Sequence, residues 1–153
     1  MKKIVLFIFA LSLFGCTTGK RLIEAEDIIG KWKEVQGRAT KNSPLKDIST
    51  NCEDNSSNGS IFIFNSDGTF LLKSICPDKQ PEEKGKWVYH NNILSLTQNI
   101  SDLNQGDFTD YNAKYSVSNE GNNKIKLYVL SSQVDGNIHD DFDRGSYIIL
   151  EKQ

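Results

Sequence analysis

Three cysteines, two histidines and one acidic stretch are the residues of this 153-residue chain whose types could do chemistry. The acidic stretch holds Asp135, His139, Asp140, Asp141 and Asp143. Calcium takes several oxygen ligands on a flexible loop, but the spacing here lacks the alternating ligands and sixth-position Gly of an EF-hand. It reads as a solvated polar loop. His90 stands beside Asn91 and Asn92 and reads as a turn residue. Two histidines in distant loops place no general base beside a nucleophile. There is no G-x-S-x-G, no GxxxxGK[ST] and no G-x-G-x-x-G. The expectation is a protein that is not an enzyme, with no catalytic residue, no cofactor and no metal. A zinc site at Cys52 and Cys76 would need two more ligands, and only His90 and His139 exist to supply them.

The third cysteine, Cys16, closes a distinctive N-terminus. Residues 1–16 read MKKIVLFIFALSLFGC, with Lys2 and Lys3 before an apolar run broken only by Ser12. A bilayer span needs ~20 apolar residues, so the run fits the core of a signal peptide instead. Its end, Leu13-Phe14-Gly15-Cys16, resembles the bacterial lipobox. That resemblance implies cleavage before Cys16 and lipidation of its thiol by fatty acyl groups such as palmitate. Two or more chains anchor a protein stably where one is marginal. The organisation expected is a signal peptide at 1–15, a lipidated tether at 16–27 and one domain at 28–153. Position 17 is Thr rather than Asp, which by resemblance to known sorting rules implies the outer membrane of a cell envelope, on either face.

An exported chain meets an oxidising compartment, which favours a disulfide between Cys52 and Cys76 over two separate thiols. It would close a loop of about 25 residues and contribute roughly 3 kcal/mol in the chain-entropy model. The whole chain has 18 basic and 20 acidic residues, a formal charge of −2. Losing Lys2 and Lys3 would leave 16 basic against 20 acidic groups, a net charge of −4. Such a balance argues against a nucleic-acid partner, which normally meets a basic excess or stripe.

Elements must position any site, and here they read as strands. Apolar residues are 37% of the chain, enough to bury a core, and long amphipathic helix patterns are absent. Residues 23–29 could form a short helical turn. Eight strands are expected at 31–36, 60–65, 69–76, 84–90, 93–98, 111–118, 124–131 and 146–151. Tight turns at Asn65-Ser66-Asp67-Gly68, Asn91-Asn92 and residues 119–123 imply an antiparallel meander. Tyr111, Ala113, Tyr115 and Val117 share one side of their strand, and Ile125, Leu127 and Val129 one side of the next. Closing eight strands into an up-and-down barrel buries one inner face and removes both edges; a β-sandwich is the alternative. Phe62, Phe64, Phe70, Trp87, Tyr115 and Tyr147 could fill the interior.

Gly30-Lys31-Trp32, after a helical turn and opening the first strand, resembles the G-x-W motif of lipocalins. In that family the Trp packs across the closed barrel end and the Gly turns the chain into the strand. Thr109-Asp110-Tyr111 is similar to a second lipocalin motif. The family also places an Arg near the barrel end; Arg144 precedes the last strand here, and its role is not carried over. Closer still is the resemblance to small bacterial lipocalin-like lipoproteins, through residues 28–32, Phe64 to Phe70 (F-N-S-D-G-T-F), Gly85-Lys86-Trp87 and Leu94-Ser95-Leu96. It implies a lipid-anchored all-β barrel. The first function expected is binding of a small apolar or amphipathic ligand in the barrel. The second is a filled barrel that meets a protein partner or enzyme target through its loops. The long loop at 38–58, stapled through Cys52, would lid the open end.

Overall fold

The computed structural model describes residues 22–50, 52, 59–76, 82–99, 110–134, 137–138 and 145–153. Cys16, the leader, the acidic stretch at 135 and 139–143, Thr109, Arg144 and residues 51 and 53–58 of the loop at 38–58 lie outside the described residues. One helical turn, α1 (Ala25–Ile28), precedes ten strands: β1 (Gly30–Arg38), β2 (Lys46–Asp47), β3 (Ser60–Phe64), β4 (Thr69–Ser74), β5 (Glu83–His90), β6 (Ile93–Asn99), β7 (Asp110–Gly121), β8 (Lys124–Val134), β9 (Asn137–Ile138) and β10 (Tyr147–Lys152).

Eight of these form one antiparallel cycle. The order is β10-β1-β3-β4-β5-β6-β7-β8, and β10 pairs back onto β8. The sheet is therefore a closed barrel and not a sandwich. The two-residue strands β2 and β9 attach to β1 and β8 outside the cycle. The hairpins are set by local chemistry. Asn91 and Asn92 have φ of 50° and 61°, and Asn122 and Asn123 have 49° and 58°. Asn tolerates that left-handed region, and a two-residue hairpin turn needs it twice.

The strands run between two ends. One end carries α1 and the three short hairpins; the other carries the longer connections and the Cys52–Cys76 disulfide, whose Cα atoms are 5.4 Å apart. At the α1 end the interior is full. Phe64 lies 6.0 Å from Phe62, 6.4 Å from Phe70 and 5.6 Å from Trp87, centroid to centroid. Leu94, Leu127 and Leu150 have no accessible surface. Such packing excludes water and leaves no room for an added methyl group without strain.

Trp32 seals this end. Its indole N–H donates to the Ile28 carbonyl at 2.7 Å, and the Lys152 ammonium lies 5.2 Å from its ring. The same ammonium donates to the Asp27 carbonyl at 2.9 Å. Gly30 enters β1 with φ +129°, a conformation that L side chains rarely adopt.

Two expectations need correction. The tether is expected to reach residue 27, but Ile23 is only 8% exposed within the core and its carbonyl accepts a bond from the Tyr89 hydroxyl at 3.1 Å. Among the described residues the core thus reaches back to Ile23, and α1 supplies the Ile28 carbonyl to Trp32. Tyr147 is expected among the side chains that could fill the interior. Register puts it on the outer face, since its neighbours Ile148 and Leu150 pair with Leu127 and Ile125 inside. There it is held between the Arg38 guanidinium at 4.6 Å and the Lys126 ammonium at 4.1 Å.

Gly85 offers a direct check on the packing. A Cβ there would meet the Thr97 carbonyl oxygen and the Phe70 ring. Gly85→Ala is expected to lower the unfolding free energy by about 1–3 kcal/mol, read from urea titration of the purified protein.

Candidate functional site

The inner face changes character toward the disulfide end. Leu72, Tyr111, Tyr115, Val129 and Ile148 point inward by register but remain only half-buried. Among them stand polar groups: Glu34 from β1, Ser60 from β3, Glu83 from β5, Gln98 from β6 and Ser132 from β8. Apolar walls with a few convergent polar groups are the usual make-up of a small-molecule site.

Two β-bulges aim these side chains. In β1, Glu34 pairs with Leu150 and Gln36 with Ile149, so Val35 is the extra residue. The shift turns Gln36 outward, where its amide donates to Asp47 at 2.7 Å, and turns Gly37 inward above Glu34. A Cβ on Gly37 would sit 3.3 Å from the Glu34 carboxylate. In β8, Lys114 pairs with Ser131 and Tyr115 with Val129, which leaves Leu130 extra and turns Ser132 inward. Bulges commonly re-aim side chains beside functional sites.

Glu34 is the focus of the electrostatics. It is 9% exposed, and one carboxylate oxygen accepts the Ser60 backbone N–H at 3.1 Å. Burial pushes its pKa up to about 7, while hydrogen bonds from the Ser60 backbone and hydroxyl oppose the rise. Glu83 accepts the Gln98 amide at 2.6 Å. Burial raises Tyr115 far above the usual phenol range, and the negative charges of Tyr111, Glu34 and Glu83 add to the rise. Tyr111 is also raised by burial, with Tyr115 and Ser132 hydroxyls pulling the other way. These groups therefore form one cluster.

Two serine hydroxyls in this region stand out. Ser132 is 2% exposed and Ser146 is 7% exposed. Neither Oγ makes a hydrogen bond of proper geometry, although the Tyr111 hydroxyl lies near Ser132. Buried polar atoms in native proteins nearly always have partners. Ser146 bonds β8 through its carbonyl, which accepts the Val129 N–H at 3.1 Å, and its register places the side chain on the inner face with Ile148.

A separate cleft of about 320 Å³ lies at the α1 end, between the helical turn and the Asn122–Asn123 turn, with Asp27, Lys124 and Lys152 on its walls. It is half open and opposite the polar cluster. Gly30 and Trp32 belong to that end too. His90 is exposed at the β5–β6 turn. Among the described residues no group of three or more His, Cys, Asp or Glu is placed to hold a metal ion. Among them no helix is long and apolar enough to cross a membrane.

Cys52 and Cys76 are joined, which pins the loop after β2 to the end of β4. Within that loop Ile48 lies 3.8 Å from a Cβ position on Gly37, beside the inner rim. The sequence reading did not reach the Glu34 cluster. One signal was present: Glu34 follows Trp32 by two residues, so strand parity puts a carboxylate on the apolar face. The inward turn of Ser132 left no such trace.

The raised Glu34 pKa carries a stability signature. The folded state holds a proton that the unfolded chain, with a pKa of 4.5, releases. Stability from this group is full below about 4.5 and is lost as pH rises to about 7, by roughly 3 kcal/mol. In Glu34→Gln, the drop in unfolding free energy between pH 5 and pH 8 is expected to shrink by that order, as urea titrations at the two pH values would read.

No protein-family model matches the chain, and no curated protein matches it. Two solved structures do. A lipocalin-like protein from Bacteroides uniformis aligns with a TM-score of 0.50 at 12% identity, over 83% of this chain and 99% of that one. An uncharacterized protein from Bacteroides eggerthii aligns with a TM-score of 0.50 at 12% identity, over 82% and 98%. With the closed cycle of eight antiparallel strands, these matches establish that the chain has a lipocalin-like β-barrel fold.

Proposed function

We propose that this chain is a lipid-anchored envelope protein whose barrel binds one small amphipathic molecule at its disulfide end. The observation that carries the reading is the split interior. The α1 half is filled by its own aromatic rings, while the other half presents half-buried apolar walls and a buried polar cluster that includes the Ser132 and Ser146 hydroxyls. An eight-stranded barrel is just wide enough to hold one small ligand or to be filled by side chains. Here each half supports one of those states. The filled half limits the ligand to something small, and the polar half requires it to carry at least one hydrogen-bonding group.

Anchoring through Cys16 follows from the lipobox resemblance, and an outer-membrane position from Thr17. The chain enters the barrel at the α1 end, where Ile23 and Ile28 join the core. A tether leading there would leave the disulfide end facing away from the membrane, toward whatever delivers the ligand. This geometry suits a carrier or sensor better than a pore.

Two measurements test these parts separately. Native mass spectrometry of the protein from its envelope, with analysis of an organic extract, is expected to show a bound small molecule near one-to-one; apoprotein alone from cells that make the native envelope would overturn the binding reading. Radiolabelled palmitate is expected to enter the protein and to be lost in Cys16→Ser; equal labelling of both would overturn the anchor.

A further inference from the structure

Every charged side chain described on the inner face at the disulfide end is acidic. Register turns Lys84, Lys86 and Lys114 outward from β5 and β7, and Arg38 points out to Gly145 and Tyr147. Lys46 stands at the rim on β2 and is exposed. What remains inside is Glu34 on β1 and Glu83 on β5, and both charges raise the Tyr115 hydroxyl. Glu83, and Glu34 once ionised, without a described inner cation form a site of negative potential behind low-dielectric walls, where charge counts for more than in water.

The neutral groups point the same way. Tyr111 and Tyr115 bring two aromatic rings to the cluster, and ring faces attract cations. Ser132 and Ser146 add two buried hydroxyl oxygens with unused acceptor capacity. An ammonium group is a compact cation with up to three N–H donors and no acceptor. It matches carboxylates, hydroxyl oxygens and ring faces at once. An anionic head would meet two carboxylates at close range with no described inner cation to offset them.

We propose that the ligand taken by this barrel carries a protonated amine, seated between Glu34 and Glu83 against the Tyr111 and Tyr115 rings, with its apolar part on Leu72, Val129 and Ile148. The proposal rests on the barrel-binding reading above and deepens it. A cation beside Glu34 would also offset the desolvation that keeps its carboxyl protonated near neutral pH. Metal ions are a poorer occupant, since the two carboxylates are already engaged by Ser60 and Gln98 and a hard cation wants six or more oxygens.

The test uses three water-soluble probes of similar size: 2-phenylethylamine, 2-phenylethanol and 3-phenylpropanoate. Each is titrated calorimetrically into the full chain at pH 7.5. The amine is expected to bind at least tenfold more tightly than the alcohol, and the acid more weakly than either. Glu34→Gln and Glu83→Gln, each checked for folding by thermal melting, should each cut the amine-to-alcohol ratio severalfold. Because Glu83 is nearer the rim and less buried, its variant keeps the test open if Glu34→Gln folds poorly. Equal affinity for amine and alcohol, or tighter binding of the acid, would overturn the amine assignment while leaving a ligand-binding barrel. A preference for the amine that survives both substitutions would overturn the assigned residues. No binding by any probe would overturn both the amine assignment and the small-ligand reading.

Discussion

The double pairing of β10 is the constraint on which the molecule depends. It hydrogen-bonds to β1 along one edge and to β8 along the other. That one strand converts an open meander into a cycle without edges, and an inner face exists only because of it. Its inner residues, Ile148 and Leu150, touch both halves of the interior. Its outer residue Tyr147 is gripped by cations from the two strands it joins, Arg38 of β1 and Lys126 of β8. Its last residues also bind the α1 end: the Lys152 N–H donates to Asn123 and the Gln153 N–H to Lys31. Closure, core and the Trp32 seal are therefore coupled through Tyr147 to Gln153, seven residues.

Given closure, the barrel divides along its axis by residue type. Aromatic rings on β3, β4 and β5 interlock at one end, and their mutual contacts leave no gap there. Toward the other end the strands bulge. A bulge changes which parity faces inward, so Gly37 replaces Gln36 and Ser132 replaces Ser131 on the inner surface. The first exchange removes a long side chain above Glu34, and the second places a small hydroxyl beside Tyr111. The polar half is thus produced by backbone irregularity as much as by composition. Cost follows: Glu34 sits buried with one backbone bond, a desolvated carboxyl tolerated where a binding role can use it.

Much of this was legible in the residues. Alternation located all eight barrel strands, because a half-buried strand must repeat every two residues. Asn91-Asn92 marked a turn because few other residues accept two positive φ values in succession. The Cys52–Cys76 link followed from compartment logic. Tyr147 was misplaced because Ile148 to Leu150 is apolar on both faces, so parity could not choose its side. The bulges were invisible, since neither Val35 nor Leu130 differs from an ordinary strand residue. The cluster at Glu34 stayed hidden with them, because it gathers side chains from six strands whose registers only the fold defines. Lys152 was overlooked because a basic residue near a chain end reads as solvated; its stem lies against Gly30 and its ammonium on Trp32.

The disulfide is unequal in its two sulfurs. Cys52 is exposed, while Cys76 is 2% exposed. Thiol–disulfide exchange begins with a thiolate reaching one sulfur and expelling the other. Only Cys52 can be reached, so the leaving group is always Cys76, and it must leave as a thiolate inside a buried site that disfavours the charge. The staple that holds the loop beside the inner rim is thus shielded kinetically. A reductant meets a high barrier at this bond while the barrel is folded, and local opening around Cys76 becomes the gate for its cleavage.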